Sequence, residues 1–445
     1  MTTTTLYGQT LPRRPLGQID AVTILSIFIV TLMVLPARYV VGPLGAAGTP
    51  AGIMAVLCLF WYVSALFTPK TSPVRGRQPL RSVILLFFGA ILGTYAVAMS
   101  RALPGIELNG ADRGVILVMG WVGIALLAAD GIPRLDRLEA IRRRLVAGGT
   151  FMGVLGFVQF FSGFDVARYL AVPGLTANGS YTSVLHRDDF NRPMATSTHP
   201  IEFGVILAML LPLAVHGVIH AEPGMRGRRW MQVSVILLTL PMTVSRSAIL
   251  GLAIAGAVML PVWPARWRFW SIIVLGVVTV VVHAAVPGLV GTVTGLVTSI
   301  GTDSSTVART DDYTAVAHAV SQRTWFGQGF GTYMPQTYRI LDNQYLGALV
   351  ETGILGTIAL VIVLMSGWFL ARSARRASTD PAIRHLAQCF AASSAVVIFS
   401  YGTFDAFGFP MVANLTFLML GCCGALWRLT REQSGEQHQV ESIHE

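Results

Sequence analysis

The sequence predicts an all-α, polytopic integral membrane protein with about twelve transmembrane helices, and three observations carry that prediction. Of 445 residues, 53% are hydrophobic and only 12% charged, about half the charged share of a soluble chain, with mean hydropathy +0.62. The apolar residues come in runs of roughly 20, the length that crosses a ~30 Å hydrocarbon core as a helix. Strand-type alternation is absent, which argues against a barrel.

The runs fall at about 19–41, 51–67, 81–99, 113–130, 145–162, 200–219, 230–244, 247–263, 271–290, 343–370, 384–402 and 408–427. They make 1–445 a single membrane domain, with outer loops at 163–199 and 291–342 and a cytoplasmic tail at 428–445. Arg13 and Arg14 precede a full-length first run, so that run reads as an uncleaved helix rather than a signal peptide. Net charge is +10 and nearly all arginine, with Lys70 the single lysine. Most of the 32 basic residues lie on one side if the N-terminus is inside, which predicts both termini in the cytoplasm. Because these charges flank the runs instead of forming one patch, nucleic acid is not an expected partner. Cys58, Cys389, Cys422 and Cys423 all fall inside apolar runs, so no disulfide framework is implied.

Loops this long usually carry function or are disordered. In the second, Asp303-Ser304-Ser305 precede Val307, Tyr313, Val316 and Val320 at near-helical spacing, which predicts a capped amphipathic helix on the membrane surface. The tightest junction is "LTLPMTVSRSAILGLAIAG", residues 238–256, where two runs meet at Ser245-Arg246-Ser247 on the expected outer side. A charge near the bilayer interior costs roughly 2.5–3.5 kcal/mol on insertion scales, so Arg246 calls for an anionic partner. Its planar fork of donors suits a phosphate or diphosphate, as do those of Arg309 and Arg323, which also border helices. The plainer alternative is that Arg246 snorkels or pairs with Asp405 or Glu202.

Other polar residues divide more quickly. His199-Pro200 with Glu202 reads as a helix start. Glu351, about 12 Å along a helix from Asn343, reads as a structural hydrogen-bonding group or a partner for Arg246. "GQGFG" at 327–331 follows no strand and reads as a tight turn, not a nucleotide loop. His216 and His220 are spaced like a metal pair, but no third ligand is evident and interfacial packing is the expectation. Asp188-Asp189 and Asp311-Asp312 read as solvated loop charge, with a divalent-ion site as the alternative.

Four segments together resemble the O-antigen ligase and O-antigen polymerase superfamily. They are "NRPMATSTHPIEFGVILAMLLPLA", "VSRSAILGLAIAG", "ARTDDYTAVAHAVSQRTWFGQGFGTY" and "DNQYLGALVETGILG", spread over roughly residues 190–365 in the family's order. The resemblance implies a GT-C-like membrane glycosyltransferase at the outer face of the cytoplasmic membrane. Its donor would be a glycan on a polyprenyl diphosphate, and its acceptor a hydroxyl of a lipid, another glycan or a protein. No cofactor or metal is implied, because arginines can stabilise the departing diphosphate. Carried over by position, Arg246 and Arg309 would grip the diphosphate, while Arg192, His199, Ser245, Ser247, Arg323, Asn343 and Tyr345 would bind substrate. Relatives place a histidine before the asparagine of "HNxYL", whereas this chain has Asp342. Asp342 reads either as the base that takes the acceptor's proton or as a cap for the helix beginning at Asn343. If it is only a cap, His199, Asp311 or His318 is the next candidate. Ligase and polymerase share this chemistry and are not separated by these residues. A polytopic transporter or flippase for a lipid-linked glycan is the reading from another class.

Overall fold

The computed structural model describes residues 20–68, 72–74, 76–170, 172–178, 184–187, 190–298 and 304–444. The first half contains α1 (Ala21–Val34), α2 (Pro50–Leu66), α3 (Pro79–Met99), α4 (Gly105–Gly131), α5 (Leu135–Ser162), α6 (Pro200–Ile219) and α7 (Arg226–Met242). The second half contains α8 (Arg246–Met259), α9 (Ala265–Ala285), α10 (Leu289–Thr298), α11 (Ser304–Gln322), α12 (Gln344–Ala377), α13 (Pro381–Ser400) and α14 (Pro410–His444). Two short antiparallel ladders decorate the loops: β1 (Tyr39–Val40) pairs with β2 (Thr176–Ala177), and β3 (Leu185–Arg187) pairs with β4 (Phe190–Arg192).

Among the described residues, eight helices are long and apolar enough to cross a membrane: α3, α4, α5, α6, α9, α12, α13 and α14. The protein is therefore a multi-pass membrane protein. The other four predicted runs also fall on helices, but they are not uniform spans. α1 and the segment Arg246–Val262 are apolar but short, and α2 is bent by 74° from the 3-10 turn Gly42–Gly48 before it. α7 opens on Arg226, Arg228 and Arg229, which shortens its apolar part.

Sequence explains where these helices start. Asp20, Thr49, His199, Asn343 and Asp380 each accept a hydrogen bond from a first-turn amide, and Pro50, Pro200 and Pro381 occupy the first helical position, which needs no N–H. Hydrophobicity then sorts the helices. α14 is buried without interruption from Met411 to Thr430, packed against α4 and α12. α9 turns Trp270, Ile272, Val277 and Val280 outward, as a lipid-facing helix does. The four cysteines are buried and unbridged. The expected helix of the long loop is present as α11, but its apolar face is narrower than the spacing predicted. Val316 is buried in a small cluster with Leu341 and Val350, whereas Tyr313 is exposed. Asp303 and the Val307 side chain lie outside the described residues.

Candidate functional site

α6, α8, α12 and α14 all begin at one end of the bundle, and Arg192, His199, Ser245, Arg246, Ser247, Asp342 and Asn343 lie there. The turn between α7 and α8 is made by Val244 at φ 46°, a left-handed conformation that a β-branched residue rarely adopts. Strain of this kind costs of order 1–3 kcal/mol and concentrates at functional sites. Val244 is fully buried, and Ser245 follows it with its Oγ buried and without a hydrogen-bond partner among the described residues. Arg246 is then the first residue of α8. The start of α8 can approach α6 closely because residue 204 is glycine: a Cβ there would lie 2.5 Å from the Ala248 Cβ. Arg192, at the end of β4, donates from Nε to the Thr243 carbonyl at 3.3 Å and so joins the same turn. Nearby, Ala195 also has positive φ (50°), and the Gln159 side chain holds it through two backbone bonds, of 2.6 and 3.2 Å.

The second wall is the turn between α13 and α14. Ser247 Oγ lies 2.8 Å from Thr403 Oγ1, which fixes the α8 start to that turn. The α12 start is fixed to it from the other side. The Gln344 amide donates to the carbonyls of Tyr401 (2.9 Å) and Phe404 (3.1 Å), and Gln344 Oε1 accepts from the Phe407 amide at 2.7 Å. Asn343, not Asp342, caps α12: its Oδ1 accepts from the amides of Tyr345 and Leu346. The capping alternative for Asp342 is thereby corrected, and its carboxylate stays exposed beside the helix start. Tyr345 donates its hydroxyl to the Ile398 carbonyl at 2.6 Å, so that hydroxyl ties α12 to α13.

Asp405, half-buried in the same turn, emerges as the acidic neighbour of Asp342. Burial first, and then the Asp342 charge, push its carboxyl up to about 6, against the pull of the Gly408 amide. A like charge so close disfavours the ionised form of Asp405. In the sequence, Asp405 stands out only as an alternative partner for Arg246, not as a neighbour of Asp342.

His199 caps α6 through Nδ1, which accepts from the Ile201 amide at 3.1 Å. That bond places the ring proton on Nε2 and leaves His199 a donor rather than a base. Burial, then the Arg192 charge, lower its imidazole to about 4, so it is neutral at physiological pH. Glu202 is a structural latch and not a partner for Arg246. Its Oε2 accepts from the Thr198 amide and hydroxyl, and its Oε1 from the amides of Met411 and Val412 in the first turn of α14.

The return loop after α11 completes this end. α12 is broken at Gly353 (φ 63°, ψ −165°), and the chain at 324–329 is stitched into the break. Gln328 and Gly329 donate to the carbonyls of Val350 and Glu351, while Ile354 and Leu355 donate to those of Thr324 and Trp325. Only glycine fits at 327, where a Cβ would lie 2.4 Å from the Glu351 carbonyl carbon. The GQGFG segment is thus the tight turn expected, and Glu351 is structural, accepting from the Tyr333 amide at 3.1 Å. Arg101, just past the end of α3, braces the loop by donating to the Gln328 carbonyl at 2.8 Å. Asp312 is buried against Arg339 at 2.9 Å, which removes it as half of an acidic metal pair. Arg323 and His318 are exposed. Arg309 sits on α11, but its side chain and that of Asp311 lie outside the described residues, as do Asp188 and Asp189.

No curated protein matches the chain. Residues 231–361, running from α7 through the break in α12, match the family model described as O-antigen ligase. That segment, which contains the Arg246 turn and the Asn343-capped helix start, is similar to the O-antigen ligase family.

Proposed function

We propose that the protein is a glycosyltransferase of surface polysaccharide biosynthesis that moves a glycan from a polyprenyl diphosphate to an acceptor hydroxyl. The reaction would take place where α6, α8, α12 and α14 begin. The observation that carries this reading is the pair of ties at the α13–α14 turn, Ser247 to Thr403 and Gln344 to residues 401–407. They put the Arg246 helix start on one side of Asp405 and Asp342 on the other. The transfer needs a cation for the departing diphosphate and a carboxylate for the acceptor's proton. As the acceptor oxygen attacks the anomeric carbon, its proton passes to Asp342, and the bond to the diphosphate oxygen breaks. Arg246 meets the charge that develops on that oxygen. His199 and Ser245 offer hydrogen bonds, and Arg309 and Arg323 serve the second phosphate or the glycan.

The twelve-crossing, GT-C-like arrangement, with both termini in the cytoplasm of a cytoplasmic membrane and this end facing outward, belongs to the same proposal. The basic segments between apolar runs support it. A broken α12 is also a transporter feature. Here, however, the carbonyls freed at Gly353 accept from the chain's own loop amides, which favours the transferase. The reading is tested by incubating purified protein, in detergent with chelator, with a defined polyprenyl-diphosphate oligosaccharide. Expected is product whose sizes distinguish single transfer from a polymer ladder, and its loss in Arg246→Ala while donor remains. Donor accumulating on the cytoplasmic face of cells carrying that variant would overturn it in favour of transport.

A further inference from the structure

At the opposite end of the bundle lies a cluster that the transfer does not use. His216 is about 24 Å along α6 from Pro200, at 1.5 Å per residue. Sequence spacing offered it only His220 as a companion. The fold adds His385 and Cys389 from the first turns of α13. His216 Nδ1 lies 3.0 Å from His385 Nδ1, and the Cys389 Sγ lies 3.6 Å from that same nitrogen. The three donor atoms all fall within 4.8 Å of one another, with His216 and Cys389 buried. His220 stacks on His216 at 4.5 Å and lies 5.3 Å from His385, ring to ring. Arg142, the nearby cation, is neutralised by its paired bonds to Glu139.

We propose that His216, His385 and Cys389 form a site for Zn²⁺ or a similar thiophilic cation that staples α6 to α13. Tetrahedral zinc, with bonds of about 2.0–2.1 Å to nitrogen and 2.3 Å to sulfur, sets N–N near ~3.4 Å and N–S near ~3.6 Å. The His385–Cys389 spacing already fits, the two rings need to part by only a few tenths of an ångström, and the His216 and Cys389 donors lie within 4.8 Å of each other. His220 stands closest for the fourth position. One contact opposes binding and makes the idea testable. Trp263 Nε1 donates to His385 Nε2 at 3.1 Å, so in the metal-free state the His385 proton sits on Nδ1. Loading moves that proton to Nε2, releases the Cys389 thiol proton to solvent, and breaks the Trp263 bond. The balance is one proton released per ion.

The test uses full-length protein in detergent, exchanged into Zn²⁺ and then metal-free buffer, with metal counted by mass spectrometry. A parallel sample takes Co²⁺, whose thiolate charge-transfer band reports sulfur ligation. Expected is one equivalent of zinc per chain and a cobalt band that disappears in Cys389→Ser. Affinity should fall about tenfold or more in Cys389→Ser and in His385→Gln. Trp263→Phe should tighten binding, because it removes the competing donor. A wild type that retains no zinc, or a Cys389→Ser protein that retains as much as wild type, overturns the site and leaves a hydrogen-bonded relay. Because none of these readouts depends on glycosyl transfer, the outcome is independent of the proposed function.

Discussion

Glu202 offers the sharpest separation between building the site and performing its chemistry. Its carboxylate is fully buried and accepts four hydrogen bonds: the Thr198 amide (2.8 Å) and hydroxyl (2.7 Å), and the amides of Met411 (2.7 Å) and Val412 (3.0 Å). The last two are first-turn amides of α14 with no partner inside their own helix. Glu202→Ala strands them in a buried setting at about 1–3 kcal/mol each, and the half-buried Thr198 adds roughly 1 kcal/mol, since its hydroxyl can turn elsewhere. The expected loss is therefore about 3–7 kcal/mol. Glu202→Gln keeps one carbonyl for the Met411 and Val412 amides but turns an NH₂ toward the Thr198 amide, for about 1–3 kcal/mol. Unfolding in mixed micelles, followed by tryptophan fluorescence, should rank the variants Ala below Gln below wild type. Transfer rates should fall in the same order, because His199 and the Asp405 turn sit on either side of this latch. An alanine variant within about 1 kcal/mol of wild type would show that the α6–α14 tie is not held this way.

Three further outcomes follow from the site. Arg246→Ala should lower kcat by about 10²–10³-fold in a labelled-donor transfer assay, and Arg246→Lys should recover only part of it, since the ammonium restores charge but not the planar fork. Asp405 has a folded value raised to about 6 from 3.8, so the fold favours its protonated form, and stability is lost as pH rises through about 6. Asp405→Asn should then be the more stable protein at pH 8, with the gap closing below pH ~4. His199→Asn should keep the α6 cap while losing the Nε2–H donor, so unchanged unfolding with reduced transfer would mark substrate contact; His199→Ala should also lose about 0.5–2 kcal/mol of stability.

Most helices were legible because each apolar run must satisfy its backbone internally, and caps such as Asn343 and Asp380 announce their ends. Of the motif residues, Arg192, His199, Ser245, Arg246, Ser247, Asp342 and Asn343 lie at one end of the bundle, whereas the Arg309 side chain lies outside the described residues. What escaped depends on pairings between distant parts of the chain. Nothing local says that the Glu202 carboxylate serves amides 209 and 210 residues away, or that His216 meets His385 across 169. The break at Gly353 was hidden because "VETGILG" reads as uninterrupted helix, and only the inserted loop makes the kink visible. Val244 looks like an ordinary apolar residue until its φ is known.

The four helix starts also indicate where an anion would sit. Each carries unsatisfied amides and the positive end of a dipole, so each is a potential anion seat. At three of them a side chain already fills the role: His199 on α6, Asn343 on α12 and Glu202 on α14. Only α8 has no side-chain cap, although Ser245 stands at the capping position with its hydroxyl buried. A diphosphate placed there would meet the α8 amides, the Ser245 hydroxyl and Arg246 together. Ser245→Asp turns this into an expected outcome with two opposite signs. A carboxylate at that position should cap α8 and raise stability by roughly 0.3–1 kcal/mol, while occupying the seat and raising KM for the lipid-linked donor about tenfold or more. Stability gained with donor KM unchanged would move the diphosphate away from α8, and with it the role assigned to Arg246.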